Sequence, residues 1–319
     1  MRAHLARVAL VVVALGGQVW LTACERPPVE IPPSVPFGHL VLSSDSPGTY
    51  EIFTMDADGS GLHQLTDDPT WDSWWPRLSP DRTTIVFERT PAGVHDADHT
   101  QVAIWAMDAD GSDVRLLRDV GADGWDLQGH VEWAPDGGSL TLFGGEAVNP
   151  QVWLAEPTGA LRRPITDRPG TNIDPSFAPD GRSVVFIGCP SATCHPADYE
   201  VYRIPVEGGE ATRLTNDRRR DHDPALSPDG TTLAWLTHFG GTTWDIRTAA
   251  ADGTGPRRLL RDSATTSRPE WSRDGSLVYF HRFVIGTAGG FGIFSIRPDG
   301  TGLRALTPGR EGAEEYPGT

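Results

Sequence analysis

The stretch Asp223–Trp235, DPALSPDGTTLAW, occurs several times in this chain with small changes. Close copies are DPSFAPDGRSVVF at Asp174–Phe186 and RPEWSRDGSLVYF at Arg268–Phe280. In each copy two apolar segments flank a turn that ends in Asp-Gly. Proline before such a turn fixes φ, aspartate hydrogen-bonds the local backbone, and glycine adopts the left-handed conformation. Each copy therefore predicts a β-hairpin.

A second hairpin follows at a regular distance. It has an apolar segment, an Asp-Gly-type turn and a Leu-Thr-like ending, and its six turn glycines are Gly59, Gly111, Gly159, Gly208, Gly253 and Gly300. Their spacing of 45 to 52 residues is that of a four-stranded propeller blade. In the unit quoted first, the predicted strands are Asp223–Ser227, Thr232–Thr237, Thr243–Ala249 and Arg257–Leu260. We expect an all-β fold, a six-bladed β-propeller of four-stranded antiparallel blades over residues 37–319.

The two ends of the chain predict how the ring closes. Proline recurs early in the first strand, at Pro76, Pro175, Pro224 and Pro269, with Val131 at this position in one unit. Proline removes a ladder hydrogen bond, so this strand must lie at a sheet edge beside the central channel. The N-terminal unit starts at HLVLSS, residues 39–44, which matches a second strand, and EYPGT at 315–319 matches a first strand. We expect the C-terminal strand to complete the first blade and remove the open edge.

These repeats resemble the TolB-like six-bladed β-propellers, which are built of Pro-Asp-Gly repeats related to WD-type blades. The resemblance covers about residues 37–319 and implies the propeller fold, but it says little about activity. TolB itself carries an N-terminal α/β domain. Here a leader and a proline-rich segment directly precede the first blade, so we expect that domain to be absent and do not transfer TolB's partners.

The N-terminus has the pattern of an export and anchoring segment. Residues 1–23 contain a basic start and an apolar stretch, Val8–Trp20, of signal-peptide length. They lead into LTAC, which ends at Cys24 and resembles the bacterial lipobox, whose cysteine carries the lipid. We therefore expect a lipoprotein, acylated with palmitate-type chains. The alternative is an ordinary secretory signal cleaved near Ala23, which leaves Cys24 unmodified.

Residues 24–36 are rich in proline and predict a stiff, extended tether between the lipid and the propeller. The expected location is the bacterial cell envelope, on the periplasmic face of a membrane or at the cell surface.

Cys189 and Cys194 remain as an even pair, which favours a local disulfide in an exported protein. The alternative, a metal site with His195, offers an incomplete ligand set for structural zinc.

The net charge of −16 argues against nucleic acid as a partner, because phosphate binding needs a clustered positive surface. The basic run Arg218–Arg220 is flanked by acids, and we interpret it as a solvated loop. The expected partners are the membrane, through the lipid anchor, and an envelope protein or glycan. We expect a monomer.

Non-repeating residues concentrate on one predicted face. The hairpin turns of each blade lie on one side, and the second-to-third-strand loops and blade connections form the opposite side, the long-loop face. The candidate binding residues there are Trp71, Trp74, Trp75, Trp125, His130, Asp174, His222, Asp223, His238 and His281. Loops on a rigid scaffold commonly carry binding residues, and tryptophan suits sugar stacking or burial in a partner. The alternative is that Trp71, Trp74 and Trp75 merely cover the first blade joint.

Metal binding rests on weaker signals. The segment HDADH offers His95, Asp96, Asp98 and His99 as ligands for a divalent cation at the channel mouth, without a diagnostic spacing. The loops DADGSG at 56–61 and DADGSD at 108–113 resemble calcium loops, but their glycine stands at position four, so we interpret them as hairpin turns. No other cofactor is expected.

The sequence contains no G-x-S-x-G, H-E-x-x-H, phosphate-binding loop or dinucleotide fingerprint. We therefore expect a non-catalytic scaffold that binds its partner on the long-loop face at the channel mouth. The alternative is a metal-dependent polysaccharide lyase or hydrolase at the same place, because some pectin-fragment lyases resemble propellers of this kind.

Overall fold

The structure is a computed structural model, which describes residues 40–45, 48–95, 97–189, 191, 194–240, 243–260, 266–284, 290–307 and 314–319. The predicted signal peptide at 1–23, Cys24 and the tether at 24–36 lie outside these residues and stay predictions. Within the described ranges, the helical segments are three short 3-10 turns, at His99–Gln101, Ala122–Gly124 and Pro196–Asp198. None of the helices described is long and apolar enough to cross a membrane.

The strands follow the predicted repeat along the whole described chain. In chain order they are β1 (Leu40–Ser44), β2 (Glu51–Met55), β3 (His63–Gln64), β4 (Trp71–Leu78), β5 (Thr84–Pro91), β6 (Ala103–Asp108), β7 (Arg115–Arg118), β8 (Leu127–Trp133), β9 (Leu140–Gly145), β10 (Gln151–Ala155), β11 (Leu161–Pro164), β12 (Asn172–Phe177), β13 (Ser183–Gly188), β14 (Glu200–Pro205), β15 (Thr212–Arg213), β16 (Asp221–Leu226), β17 (Thr232–Gly240), β18 (Thr243–Ala250), β19 (Arg257–Arg258), β20 (Thr266–Trp271), β21 (Val278–Val284), β22 (Gly290–Ile296), β23 (Arg304–Ala305) and β24 (Glu314–Gly318).

Six four-stranded antiparallel sheets form the blades. Five of them are consecutive in the chain, as in β4-β5-β6-β7, and the sixth has the order β24-β1-β2-β3. The first strand of each blade is an edge strand, and these edge strands contact one another in the cyclic order β24, β4, β8, β12, β16, β20 and back to β24. The six-bladed propeller with first strands around a central channel is thereby confirmed.

The Pro-Asp-Gly turn forms for the reasons expected from its residues. In the unit quoted first, Ser227 Oγ donates to Asp229 Oδ1 at 2.6 Å, and the Thr231 amide donates to the same oxygen at 3.0 Å. Gly230 has a φ of +70°. Arg82 stands at the equivalent glycine position of the second blade and adopts a φ of +63°, so the turn survives the substitution.

The C-terminal strand closes the ring, as predicted. β24 pairs with β1 in an antiparallel register that sets Gly318 opposite Val41 and Glu314 opposite Ser44. Gly318 also packs tightly against the second blade, because a Cβ added there would lie 2.5 Å from the Pro76 carbonyl oxygen. The last residues of the chain therefore bind the first blade and touch its neighbour.

Six hydrophobic clusters fill the six blade joints, including the joint between the last and first blades. The repeated aromatic position after the Pro-Asp-Gly turn lies in these clusters. Its residues, Phe87, Phe186, Trp235 and Phe280, are at most 1% exposed. Periodic apolar residues thus form the core that the repeat predicts.

The first strands share an irregularity that the repeat did not predict. In β4, β8, β12, β16 and β20 the pairing register shifts at the same point, which marks a β-bulge. The bulged residue has a left-handed φ of +43° to +53°, and these residues are Trp75, His130, Asp174, Asp223 and Arg268. Left-handed backbone is costly for residues other than glycine, and such positions often occur at functional sites.

Candidate binding site

A cavity of about 490 Å³ opens at the long-loop end of the channel; we call it the mouth cavity. All five bulged residues line it, together with His99, Leu127, Phe143, Ala147, Pro150, Thr171, Ile173, Tyr199, Arg220, His222, Leu236, Trp244 and Ser267. Its volume lies in the range of small-ligand sites, and its wall combines apolar side chains with a few ionisable groups. The left-handed bulges therefore place five side chains of four chemical kinds around one opening.

Arg268 forms part of the floor of the mouth cavity. It starts on β20 and reaches across the channel, where Nη2 lies 2.5 Å from Oε1 of Glu132 on β8, on the opposite side of the ring. Arg77 Nε donates to the same oxygen at 2.6 Å. Burial raises the pKa of Glu132 to about 7, although the neighbouring Arg77 lowers it. A second cavity of about 260 Å³, lined by the turn prolines Pro135, Pro179 and Pro228, lies below this bridge.

Trp75 is enclosed on both faces. Its ring stacks on the His130 imidazole with 3.8 Å between centroids and an interplanar angle of 8°. The Arg268 guanidinium covers the other face, with Cζ 3.5 Å from the ring centroid. Because both faces are occupied, Trp75 is only 3% exposed although it lines the channel.

Asp174 joins two imidazoles at the wall of the mouth cavity. Its Oδ1 lies 2.6 Å from His130 Nδ1, and its Oδ2 lies 2.7 Å from His222 Nδ1. Burial on its own would raise the pKa of Asp174, but the two histidines hold it well below its usual range. The carboxylate is therefore a permanent anion that fixes both rings.

Arg220 continues this row of hydrogen-bonded side chains to the rim of the mouth cavity. Its Nε donates to His222 Nε2 at 2.9 Å, so the His222 ring accepts at Nε2 and donates from Nδ1 to Asp174. The guanidinium also lies over two aromatic rings, with Cζ 5.7 Å from the Tyr199 centroid and 5.6 Å from the Trp244 centroid. Arg220 is thus held in one orientation, and our interpretation of it as part of a solvated loop is wrong.

The structure brings together half of the residues predicted for the site. Trp75, His130, Asp174, His222 and Asp223 all line the mouth cavity. Trp74 does not, because its side chain points into the joint between the second and third blades and is 0% exposed. The expectation that Trp74 offers a surface to a partner is therefore wrong. Trp74 covers the joint between the second and third blades, whereas the alternative placed it at the first joint.

Four further predicted residues lie away from the cavity lining. Trp125 packs on the Gly144 backbone and beneath the Arg118 guanidinium, whose Cζ lies 4.6 Å above the ring. Trp71 is half-buried and packs at 6.4 Å from Trp105. The other two are His281, which is buried in β21, and His238, which packs against Trp244 from the side.

The HDADH segment does not gather its side chains around one point. His95 stacks on Tyr50 with 3.6 Å between centroids, and Asp98 accepts hydrogen bonds from Thr100 at the start of the 3-10 turn. His99 points towards the channel and lines the mouth cavity. Asp96 lies outside the described residues. The three described residues therefore do not gather as a ligand set, and a shared metal site in this segment stays a prediction.

Two other groups of ligand-type side chains occur in the described part of the chain. His130, Asp174 and Asp223 offer atoms within 4.8 Å of one another at the channel. Glu200, Asp217 and Asp221 do the same at a blade joint.

The group at the blade joint is structural. Glu200 accepts from the Arg218 amide in the same way that Gln151 accepts from the Arg168 amide one blade earlier. A neutral amide can therefore replace the carboxylate at this repeat position, and we assign no metal to it.

A disulfide joins Cys189 and Cys194, outside both groups of ligand-type side chains.

Sequence reasoning missed the cationic part of the site. Arg268 could have been found from the repeat. The residue directly before the first-strand proline is Asp174 in one unit, Asp223 in the next and Arg268 in the last. Aligning the residues before these prolines reveals the channel ring. Arg220 had no such signal, because its role depends on aromatic neighbours from two other segments.

The comparisons with known proteins agree with this architecture. The family model of the TolB beta propeller domain matches residues 92–318. The chain belongs to this family. A TolB homolog of Chlorobium luteolum is 29% identical over 47% of this chain and 31% of its own length. The chain spans about half or less of the length of the curated relatives that it matches.

Solved structures share the fold. TolB from Acinetobacter baumannii aligns with a TM-score of 0.68 and 19% identity over 88% of this chain and 66% of its own. An oligogalacturonate lyase in complex with manganese aligns with a TM-score of 0.55 and 16% identity over 84% of this chain and 73% of its own. At these identities the likeness establishes the propeller and leaves the chemistry to the residues of each site.

Proposed function

We propose that this TolB-family propeller is a non-catalytic, lipid-anchored scaffold of the bacterial envelope that binds a protein partner at the mouth cavity. The observation that carries the proposal is the ring of left-handed bulges, which directs five side chains of four chemical kinds to one opening at an energetic cost. The TolB homologs among its relatives support an envelope location.

A protein partner is favoured over a glycan because other side chains cover the two tryptophan rings that line the mouth cavity. Sugar binding uses an accessible aromatic face, but both faces of Trp75 are covered. Trp244 is surrounded by Arg220 and by the imidazoles of His222 and His238. The remaining wall includes aliphatic side chains and one proline, namely Leu127, Ile173, Leu236 and Pro150, which suit peptide side chains.

Site-directed crosslinking in intact cells tests the proposal. A photo-reactive residue at Val148, which is 73% exposed beside the mouth cavity, is expected to yield one discrete partner adduct. The matched control is Leu303, which is 41% exposed near the β22–β23 hairpin and is expected to yield none. Equal yields at both positions would reject the mouth as the binding surface.

The lipid anchor has its own test. Cys24→Ala removes the acylated side chain of the lipobox-like motif, so the protein is expected to leave the membrane fraction. Membrane association that persists in this variant would contradict attachment through Cys24. A natural protein found only in the soluble fraction would support the ordinary secretory signal.

A metal-dependent lyase or hydrolase is the second candidate, because His130, Asp174 and Asp223 converge at the channel. Against it, both oxygens of Asp174 already hold imidazole nitrogens, and Arg220 donates to His222. We therefore expect less than one equivalent of transition metal in the purified protein. A stoichiometric metal that is lost in His130→Ala would favour the enzyme.

A further inference from the structure

We propose that the mouth cavity recognises the C-terminal carboxylate of a peptide ligand, through the Arg220 guanidinium at the rim and Arg268 at the floor. This inference rests on the proposed function, because it names the chemistry by which a protein partner would be held. Each of these two arginines leaves N–H donors available for a ligand.

Arg220 presents a fixed pair of donors. Its Nε is bonded to His222, and its planar group lies over Tyr199 and Trp244, so its orientation is set before a ligand arrives. The terminal Nη1 and Nη2 make no hydrogen bond or ion pair with any described residue. A guanidinium held in this way offers two parallel N–H groups, which match the two oxygens of a carboxylate.

Arg268 supplies the second cation. Its side chain is 6% exposed, and its Nη2 is paired with Glu132. Its buried Nε and Nη1 have no hydrogen-bond partner among the residues that the structure describes. Buried donors without a partner are rare in folded proteins, and a ligand oxygen would satisfy them. The lining of the mouth cavity includes this residue.

The surrounding charge favours a monoanion. Asp174 and Asp223 lie in the same wall and would repel a phosphate dianion more strongly than a single carboxylate. The covered faces of Trp75 disfavour a sugar acid, because they remove an aromatic face on which a sugar ring could stack. The aliphatic wall beside Arg220 instead accommodates the side chain next to a peptide carboxylate.

Isothermal titration with defined probes tests the proposal on the purified full propeller. The probes are acetyl-Ala-Phe with a free C-terminal carboxylate, the same peptide as its C-terminal amide, and D-galacturonate. We expect the acid to bind at least about tenfold more tightly than the amide. Arg220→Gln is expected to lower the affinity for the acid by about the same factor and to leave the amide unchanged.

Arg218→Gln is the matched control, because it removes an exposed guanidinium from the same loop and leaves the mouth cavity intact. It is expected to bind the acid as tightly as the natural protein. Equal binding of acid and amide, no binding of either, or no effect of Arg220→Gln would overturn the inference. Binding of galacturonate in place of the peptide acid would also overturn it.

The crosslink at Val148 separates the two proposals. A partner adduct there together with no acid binding would leave the protein-binding scaffold in place and reject the carboxylate. Acid binding without any adduct would support the carboxylate site and reject the protein partner.

Discussion

The second strands and the first strands of the blades differ in what their equivalent positions carry. One repeated position of the second strands holds a large buried aromatic residue in four blades, namely Phe87, Phe186, Trp235 and Phe280. The bulged position of the first strands holds a tryptophan, a histidine, two aspartates and an arginine. The second strands repeat because every blade joint needs the same core. The bulges face a shared channel, so each of them is free to carry different chemistry.

Two adjacent residues of β4 show the same contrast within one strand. Trp74 enters the blade joint, whereas Trp75 enters the channel between His130 and Arg268. The bulge between them separates a residue of the scaffold from a residue of the site. If this division holds, substitutions at the two kinds of position should have separable effects on folding and binding.

The largest effect is expected for Trp74→Ala. Removal of a fully buried indole leaves a cavity at the blade joint, so the free energy of unfolding should fall by about 3–5 kcal/mol in denaturant titrations. The control is Val148→Ala, which should change it by less than about 0.5 kcal/mol because this side chain is 73% exposed. A cost below about 1 kcal/mol for Trp74→Ala would show that Trp74 is not part of the core.

Substitutions of two buried aspartates, Asp221 and Asp174, should change the free energy of unfolding in opposite directions. Burial raises the pKa of Asp221 to about 7, although Thr237 and Thr215 donate hydrogen bonds to it. The protonated carboxyl therefore favours the folded state. The stabilisation by this protonated carboxyl is complete below the ordinary aspartate pKa of 3.8 and is lost as the pH rises through about 7. Asp221→Asn should thus gain stability relative to the natural protein between pH 5 and pH 8, by at most about 4 kcal/mol.

Asp174→Asn is expected to change the stability in the opposite direction to Asp221→Asn. The two histidines lower the pKa of Asp174, so its charge stabilises the fold above its usual pKa, and that stabilisation is lost only as the pH falls through the depressed value. This variant should be less stable than the natural protein at both pH 5 and pH 8. Unfolding titrations at the two pH values check both variants, and a shift of the same sign would contradict the account.

A smaller effect is expected for Gly318→Ala at the ring closure. The added methyl group would meet the Pro76 carbonyl oxygen, so the free energy of unfolding should fall by about 1–3 kcal/mol. Gly138→Ala, at an exposed turn, is the control. Unchanged stability in Gly318→Ala would mean that β24 does not hold the ring closed in solution.

The sequence predicted more of the fold than of the site, and particular residues show the physical reasons. The Pro-Asp-Gly and Leu-Thr signals act locally, so the blades and even the pairing of β24 with β1 follow from them. The site depends on contacts between blades. Arg268 reaches Glu132 across the channel, and Arg220 depends on Tyr199 and Trp244, none of which is close in sequence.

Trp74 illustrates the limit most clearly. Its neighbours in the sequence suggest an exposed aromatic cluster, and only the bulge in β4 decides which tryptophan faces the channel. A one-residue change of register exchanges the faces of a strand, and the sequence did not reveal where the bulge lies.

The most direct test of the division between scaffold and site is the Val148 crosslink in Arg220→Gln, measured together with the free energy of unfolding. The account predicts that the partner adduct is lost while the free energy of unfolding falls by no more than about 1 kcal/mol. An adduct that persists in this variant, or that disappears only because the variant unfolds, would contradict it.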